Sequence, residues 1–210
     1  MPESFLILHG IGNRRPPQHW QFLLAAALVE RGHDVRYPLL PNPDNPSLDE
    51  WLEVLASELK AMVAPRRTVV CHSLACLLWF HAATRSLVNP VDRVLLVSPP
   101  ASDCVPREGA SFRIGTLDAR AVRNSATTDM AIACSDADPY NPQGAQALYG
   151  DPLGIAAMVI EGAEHITPDS GYGPWPFVLD WCLSEPEQNG NGVVQERAGT
   201  APSARSRSTA

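Results

Sequence analysis

Ser73 lies in RTVVCHSLACLLW, where a β-branched stretch (Thr68, Val69, Val70) passes into an apolar helical one (Leu74, Leu77, Leu78, Phe80). A serine on so sharp a strand-to-helix turn presents its hydroxyl for attack on a carbonyl carbon. The hydroxyl is a poor nucleophile until a neutral imidazole takes its proton, and a carboxylate is needed to fix the imidazole tautomer and stabilise the cation that forms. Both partners occur downstream, in the order serine, aspartate, histidine. Asp138 comes 65 residues after Ser73, beyond the apolar run MAIACS, and His165 comes 27 residues later, beyond IAAMVIEG. In a parallel sheet, reactive groups gather at the carboxyl ends of strands, where all three stand. The chemistry predicted is acyl transfer: a small carboxylic ester, or a thioester, cleaved through an acyl-Ser73 intermediate.

The same residues admit plainer roles. Serine is a preferred helix N-cap, and carboxylates at strand ends often serve only as turn residues. Asp136 and Asp103 compete with Asp138 for the acid. Asp138 is preferred because it precedes Pro139 and so lies in an extended turn leaving its strand. The turn around Ser73 demands small residues two before and two after it, and Cys71 and Ala75 stand where glycine is usual. Among the other histidines, His72 points away from Ser73 along the strand and reads as packing or hydrogen-bonded scaffold. His9 organises the loop after the first strand, while His33 and His81 read as ordinary surface or satisfied polar positions.

Acyl transfer also needs backbone donors aimed at the developing oxyanion. One is predicted to be the amide of Leu74. The other comes from the loop HGIGNRR, where Gly10 and Gly12 let the backbone approach closely, with Ile11 the donor and Gly12 the alternate. Arg14 and Arg15 beside it read as solvated side chains. Trp20, Trp175 and Pro176 flank these loops and are candidates for the wall of an acyl or alcohol pocket, with Trp20 otherwise packing its helix on the sheet. Trp51 and Trp79 read as core.

Short apolar runs alternate with longer amphipathic ones, the pattern of repeated βα units around a parallel sheet. The prediction is a single α/β domain over residues 1–184, with about six mainly parallel strands flanked by helices and no large lid; with the nucleophile turn and the order serine, aspartate, histidine, this is the pattern of an α/β-hydrolase fold. The expected strands are FLILHG, HDVRYPLL, RTVVCH, DRVLLVSPP, MAIACS and IAAMVIEG. Between them lie helices in QHWQFLLAAALVERG, SLDEWLEVLASELKAMV, SLACLLWFHAATRSL and QGAQALYG, with a last one in GPWPFVLDWCL. Ser47 and Glu50 form a capping-box pattern at the second helix. Residues 101–129 show weak periodicity and predict an excursion above the sheet with at most a short helix. Residues 185–210, rich in Gly, Ser, Pro, Gln and Arg, have too little apolar surface to offset ordering entropy and predict a disordered tail.

Bulk composition narrows the partners. A net charge of −7 with no basic cluster before the last few residues argues against nucleic acid or an anionic membrane surface. The N-terminus has only four consecutive apolar residues, short of a signal-peptide core or a membrane span, which predicts a cytoplasmic protein. Five cysteines without a CxxC pair suit reduced buried thiols, and no metal is implied. A small-molecule ester or acyl substrate remains.

Together LHGIGN followed by HW, CHSLA, DADPYNP and above all EHITPDSGYGPWP resemble the small single-domain α/β-hydrolases of the YdeN and retinoblastoma-binding serine hydrolase family. The resemblance runs over roughly residues 4–184 and implies Ser73, Asp138 and His165 as the triad, a nearly lidless fold, serine-hydrolase or esterase activity, and no cofactor. The sequence departs from the family at Cys71 and Ala75, and it lacks the LxCxE pattern associated with retinoblastoma binding. A non-catalytic binding protein on the same fold, or an acyltransferase using the same triad, are the alternatives.

Overall fold

A computed structural model describes residues 1–185. Its six strands are β1 (Ser4–Leu8), β2 (Asp34–Arg36), β3 (Arg67–His72), β4 (Val91–Val97), β5 (Ala126–Ser135) and β6 (Met158–Ile160), in the spatial order β2-β1-β3-β4-β5-β6 with every neighbouring pair parallel. The chain begins one strand in from an edge, steps out to that edge, then returns past β1 and winds across to the other. The reversal places a topological switch point between β1 and β3, where the connections leave in opposite directions and open a crevice at the strands' carboxyl ends.

Side chains alternate across each strand, so one sheet sorts its apolar residues into two layers. Leu6, Leu8, Val69, Cys71, Val94, Leu96, Ile132 and Cys134 face helices α2 (Leu48–Ala61), α3 (Leu74–Thr84) and α4 (Ala119–Arg123). Phe5, Ile7, Val70, Leu95, Val97 and Ala133 face α1 (Trp20–Glu30) and the last helix (Pro176–Leu183). The amphipathic α2 buries Leu48, Trp51, Leu52, Leu55 and Leu59 at helical spacing. By contrast α3 buries nine of its eleven residues, because α2, α4 and the segment 107–112 cover the sides that the sheet leaves open.

The differences from the sequence reading have local causes. The run HDVRYPLL pairs only over Asp34–Arg36; Pro38 has no donor to give the ladder, and the Leu40 amide is taken by His9. IAAMVIEG shrinks to Met158–Ile160, because the Ile155 amide bonds the Gly150 carbonyl and the Ala157 amide bonds Gln146 Oε1. QGAQALYG forms a π-helical turn (Gln146–Gly150) running into the short helix α5 (Asp151–Leu153). The excursion holds two 3₁₀ segments, Ser102–Cys104 and Arg107–Phe112, together with α4, and β5 already starts at Ala126. Half of the capping box forms: Ser47 Oγ accepts from the Glu50 amide, while the Glu50 carboxylate takes Asn42 Nδ2 instead. The last helix, expected over GPWPFVLDWCL, is α6 (Pro176–Leu183), with Pro176 in its first turn. Of the tail expected to be disordered, all but Glu185 lies outside the described residues.

Arg93, unremarked in the sequence, ties α6 to the sheet. Its side chain is 3% exposed and makes contacts of three kinds. Nη2 meets Asp129 Oδ2 at 3.0 Å, Nη1 donates to the carbonyls of Trp181 and Ser184, and the guanidinium lies 3.9 Å from the Trp181 ring centroid. The last helical carbonyls lack intrahelical donors, and a buried guanidinium supplies them. Arg93→Ala is expected to cost about 2–3 kcal/mol and to lower Tm by about 5–10 °C in thermal denaturation, with Arg93→Lys recovering only part.

Candidate active site

Ser73 occupies the sharp turn between β3 and α3 with φ 58° and ψ −125°, a backbone state disfavoured for any residue with a Cβ. Its amide donates to the Val97 carbonyl at 2.9 Å, and its own carbonyl accepts from the Cys76 amide at 2.9 Å. The Cys76 thiol donates to that same Val97 carbonyl, so Ser73 and the first turn of α3 are both bound to one carbonyl at the end of β4. The hydroxyl does not cap the helix. It lies 2.8 Å from Nε2 of His165, and Nδ1 of His165 lies 2.9 and 3.0 Å from the two oxygens of Asp138.

The protons in this relay have one consistent assignment. A carboxylate only accepts, so Nδ1 of His165 carries hydrogen and Nε2 is left to accept the Ser73 proton. The Asp138 side chain is 2% exposed and that of His165 13%, so the acid is shielded while the base keeps access to solvent. Asp138 Oδ1 also accepts from the Tyr140 amide at 2.9 Å, which fixes the carboxylate in its turn. The competing acids are elsewhere: Asp136 is exposed and accepts from the Gly162 amide, and Asp103 is exposed in a 3₁₀ segment.

Cys71 and Ala75, the departures from glycine, are fully buried on either side of the turn. Burial pushes the Cys71 thiol far up, so it stays protonated and acts as a small filler. The tighter demand falls on Gly10. A Cβ there would sit 2.7 Å from Ser73 Cβ and 3.0 Å from Ser73 Oγ. Gly10 is therefore required by space, across the switch point between β1 and β3. Gly12 is required by conformation instead, with φ 71° and open surroundings.

The turn after β1 is fastened from outside. The Leu40 amide donates to His9 Nε2, so Nδ1 of His9 carries the hydrogen and donates to the Gly10 carbonyl at 2.8 Å. The Gly12 amide donates to the Pro43 carbonyl at 2.7 Å, which removes the alternate oxyanion donor, whereas no described residue takes the Ile11 amide. Leu74 opens α3, and a first-turn amide has no carbonyl four residues back within its helix. Arg14 pairs with Asp44, and Arg15 donates to the Tyr37 carbonyl with its guanidinium 5.5 Å from the Tyr37 ring, so both arginines brace loops.

Of the proposed pocket walls, Trp20 is 1% exposed and packs between His72 and Trp175. Trp175 is half-buried in the same cluster and Pro176 is exposed at the start of α6. Tyr140, which the sequence reading passed over, stands beside the base: its ring is 4.6 Å from that of His165 and the residue is 45% exposed. Its only signal in sequence was its place two residues after Asp138. Among the described residues no three metal-ligating side chains converge, and no helix is long and apolar enough to cross a membrane.

A family model described as serine hydrolase matches residues 5–183. The chain belongs to the YdeN-like serine hydrolase family. It is 26% identical over 189 residues to YdeN of Bacillus subtilis (strain 168), spanning 88% of this chain and 96% of the relative. The crystal structure of that ydeN gene product matches with a TM-score of 0.75 at 22% identity, over 86% of this chain and 96% of the other. A YdeN-like protein from Pectobacterium atrosepticum gives 0.65 at 20% identity, over 85% and 88%. At such identities the two structures speak for the fold, which here is the six-stranded sheet without a large lid.

Two outcomes are expected for this serine hydrolase. Gly10→Ala forces the Ser73 turn or the β1 loop to shift, and since a misplacement of about 1 Å costs about 100-fold, a smaller one is expected to lower turnover by about tenfold or more; ester assays should show the loss while the circular dichroism spectrum is kept. His19 caps α1 through Nδ1, and burial, aided by His9 and His165, lowers its pKa from 6.5 to about 4. A depressed histidine pKa leaves stability whole above pH 6.5 and withdraws it as pH falls from there toward about 4. His19→Asn retains a capping acceptor without the titration. Its Tm should decline less steeply than that of the wild type across that acid range.

Proposed function

We propose that the protein hydrolyses small carboxylic esters, with Ser73 the nucleophile, His165 the general base and acid, Asp138 the orienting carboxylate, and the amides of Ile11 and Leu74 the oxyanion donors. The observation that carries the reading is the unbroken chain from Ser73 Oγ through His165 to Asp138, with contacts of 2.8 and 2.9 Å. As Oγ attacks the carbonyl carbon, its proton passes to Nε2 of His165. The carbonyl π-electrons move to oxygen, where two amides without internal partners are available to receive the negative charge. Collapse of the tetrahedral species breaks the carbon–oxygen bond to the alcohol, which leaves with the proton from Nε2. Water then gives its proton to the same nitrogen and attacks the acyl carbon. Collapse of this second tetrahedral species breaks the bond between the acyl carbon and Oγ, Oγ takes the proton back from Nε2, and the acid is released.

Water as the second acceptor is supported by the partial exposure of His165 beside the open face of Tyr140. The binding-only alternative draws on the non-glycine turn at Cys71 and Ala75 and on the short excursion, and against it stands the retained relay, which both residues accommodate without disturbance. The free thiols, four of the five buried, support the cytoplasmic location that composition suggested.

A fluorophosphonate probe is expected to label the wild type and Ser135→Ala, and not Ser73→Ala. With p-nitrophenyl acetate, butyrate and octanoate, Ser73→Ala and His165→Ala should lower kcat by about 10⁴–10⁶, and Asp138→Asn by about 10³–10⁴. Labelling that survives Ser73→Ala, or an Asp103→Asn variant as damaged as expected for Asp138→Asn, overturns the assignment.

A further inference from the structure

The base sits on a strained loop. His165 lies between Glu164 at φ 48° and Ile166 at φ 51°, both in the left-handed region. For a β-branched residue such as Ile166 that state is a true outlier, and it persists only where the surroundings hold it. The turn's own bond, from the Ile166 amide to the Ala163 carbonyl, is one restraint. Two more come from outside and land on successive carbonyls. His72 Nε2 is 3.0 Å from the His165 carbonyl, and Trp20 Nε1 donates to the Ile166 carbonyl at 2.9 Å.

His72 has a place no other residue shares. It is peptide-bonded to Ser73, and strand alternation turns its side chain toward the α1 and α6 layer, on which the His165 loop lies. A closed circuit results, running from the nucleophile through the His72 main chain and ring to the His165 carbonyl, then through the His165 side chain back to Ser73 Oγ. The circuit also has a visible cost. Because the carbonyl only accepts, Nε2 of His72 carries the hydrogen and Nδ1 is a bare lone pair, buried with no hydrogen-bond partner. An orphaned buried acceptor is destabilising, and an apolar ring of similar shape would remove that penalty. The rings around it, His19, Trp20 and His165, would pack against such a replacement as they pack against the imidazole. What it would lack is the Nε2–H donor.

We infer that His72 is a positioning residue for the base: by donating to the His165 carbonyl, with Trp20 donating to the next one, it holds the strained loop at the separation from Ser73 that proton transfer needs. The inference rests on the assignment of His165 as the base. It separates activity from stability, which a packing role would not do.

The test uses the full chain with p-nitrophenyl acetate. His72→Phe is expected to lower kcat by about 100-fold with KM within about twofold, and to melt close to the wild type, because the orphaned Nδ1 it removes offsets the His165 carbonyl it leaves bare. His72→Gln, whose side-chain amide restores a donor, is expected to recover at least about tenfold of that loss. Trp20→Phe, which removes the second donor, should lower kcat by about tenfold. In the proton NMR spectrum, the downfield resonance of the His165–Asp138 hydrogen bond should be sharp in the wild type and His72→Gln, and broadened in His72→Phe. If His72→Phe does not fold, the Trp20→Phe and His72→Gln variants carry the test. The inference is overturned if either phenylalanine variant keeps wild-type kcat, or if glutamine performs no better than phenylalanine. A wild type that is inactive, or active independently of Ser73, refutes the proposed function instead, so the two failures are distinct.

Discussion

Everything at the site depends on one backbone conformation, that of Ser73. Its left-handed turn lifts the hydroxyl away from the helix it would otherwise cap, and the Val97 carbonyl, taken by the Ser73 amide and the Cys76 thiol, holds the turn in place. The strain is local, but its support is drawn from β4 and from the β1 loop. Gly10 is pressed so closely on the serine that no side chain fits between them. The sheet order makes that meeting possible, because β1 and β3 are neighbours whose following segments diverge.

Neutral imidazoles do much of the holding around this turn. His9 accepts from Leu40 and donates to Gly10, His19 accepts from Gln21 at the start of α1, and His72 donates to the loop of the base. His9 and His19 each accept through a specific lone pair that protonation would remove, whereas His72 only donates and leaves its other nitrogen without a partner. Burial depresses all three pKa values, and the same burial that makes the rings useful keeps them uncharged. The base is treated differently: it keeps a partly open face while its partner acid is closed off.

The excursion after β4 contributes more than its weak sequence pattern suggests. Gly109 is buried where a Cβ would come 3.2–3.6 Å from Val105, Leu74 and Ile11. The segment 107–112 therefore lies directly on the two residues whose amides are assigned to the oxyanion, and a short covering takes the place of a lid. Arg93 performs a comparable service at the opposite end of the sheet, where it ties the last helix to β4.

Sequence by itself settled the parallel α/β architecture, because strands buried on both faces must be apolar throughout and amphipathic helices must intervene. It also singled out Ser73, Asp138 and His165, since chain order and strand ends are properties of a one-dimensional pattern. Strand lengths at the two edges were not legible: whether Leu40, Ile155 and Ala157 join a ladder depends on acceptors that compete for their amides from distant or non-ladder positions. Nor were the roles of Gly10, His72, Trp20 and Arg93. A glycine required by space looks like one required by conformation, and a histidine that grips a carbonyl 93 residues away looks like one that merely packs. Those distinctions belong to tertiary structure, because hydrogen bonds and steric contacts act over a few ångströms and only folding decides which residues come that near.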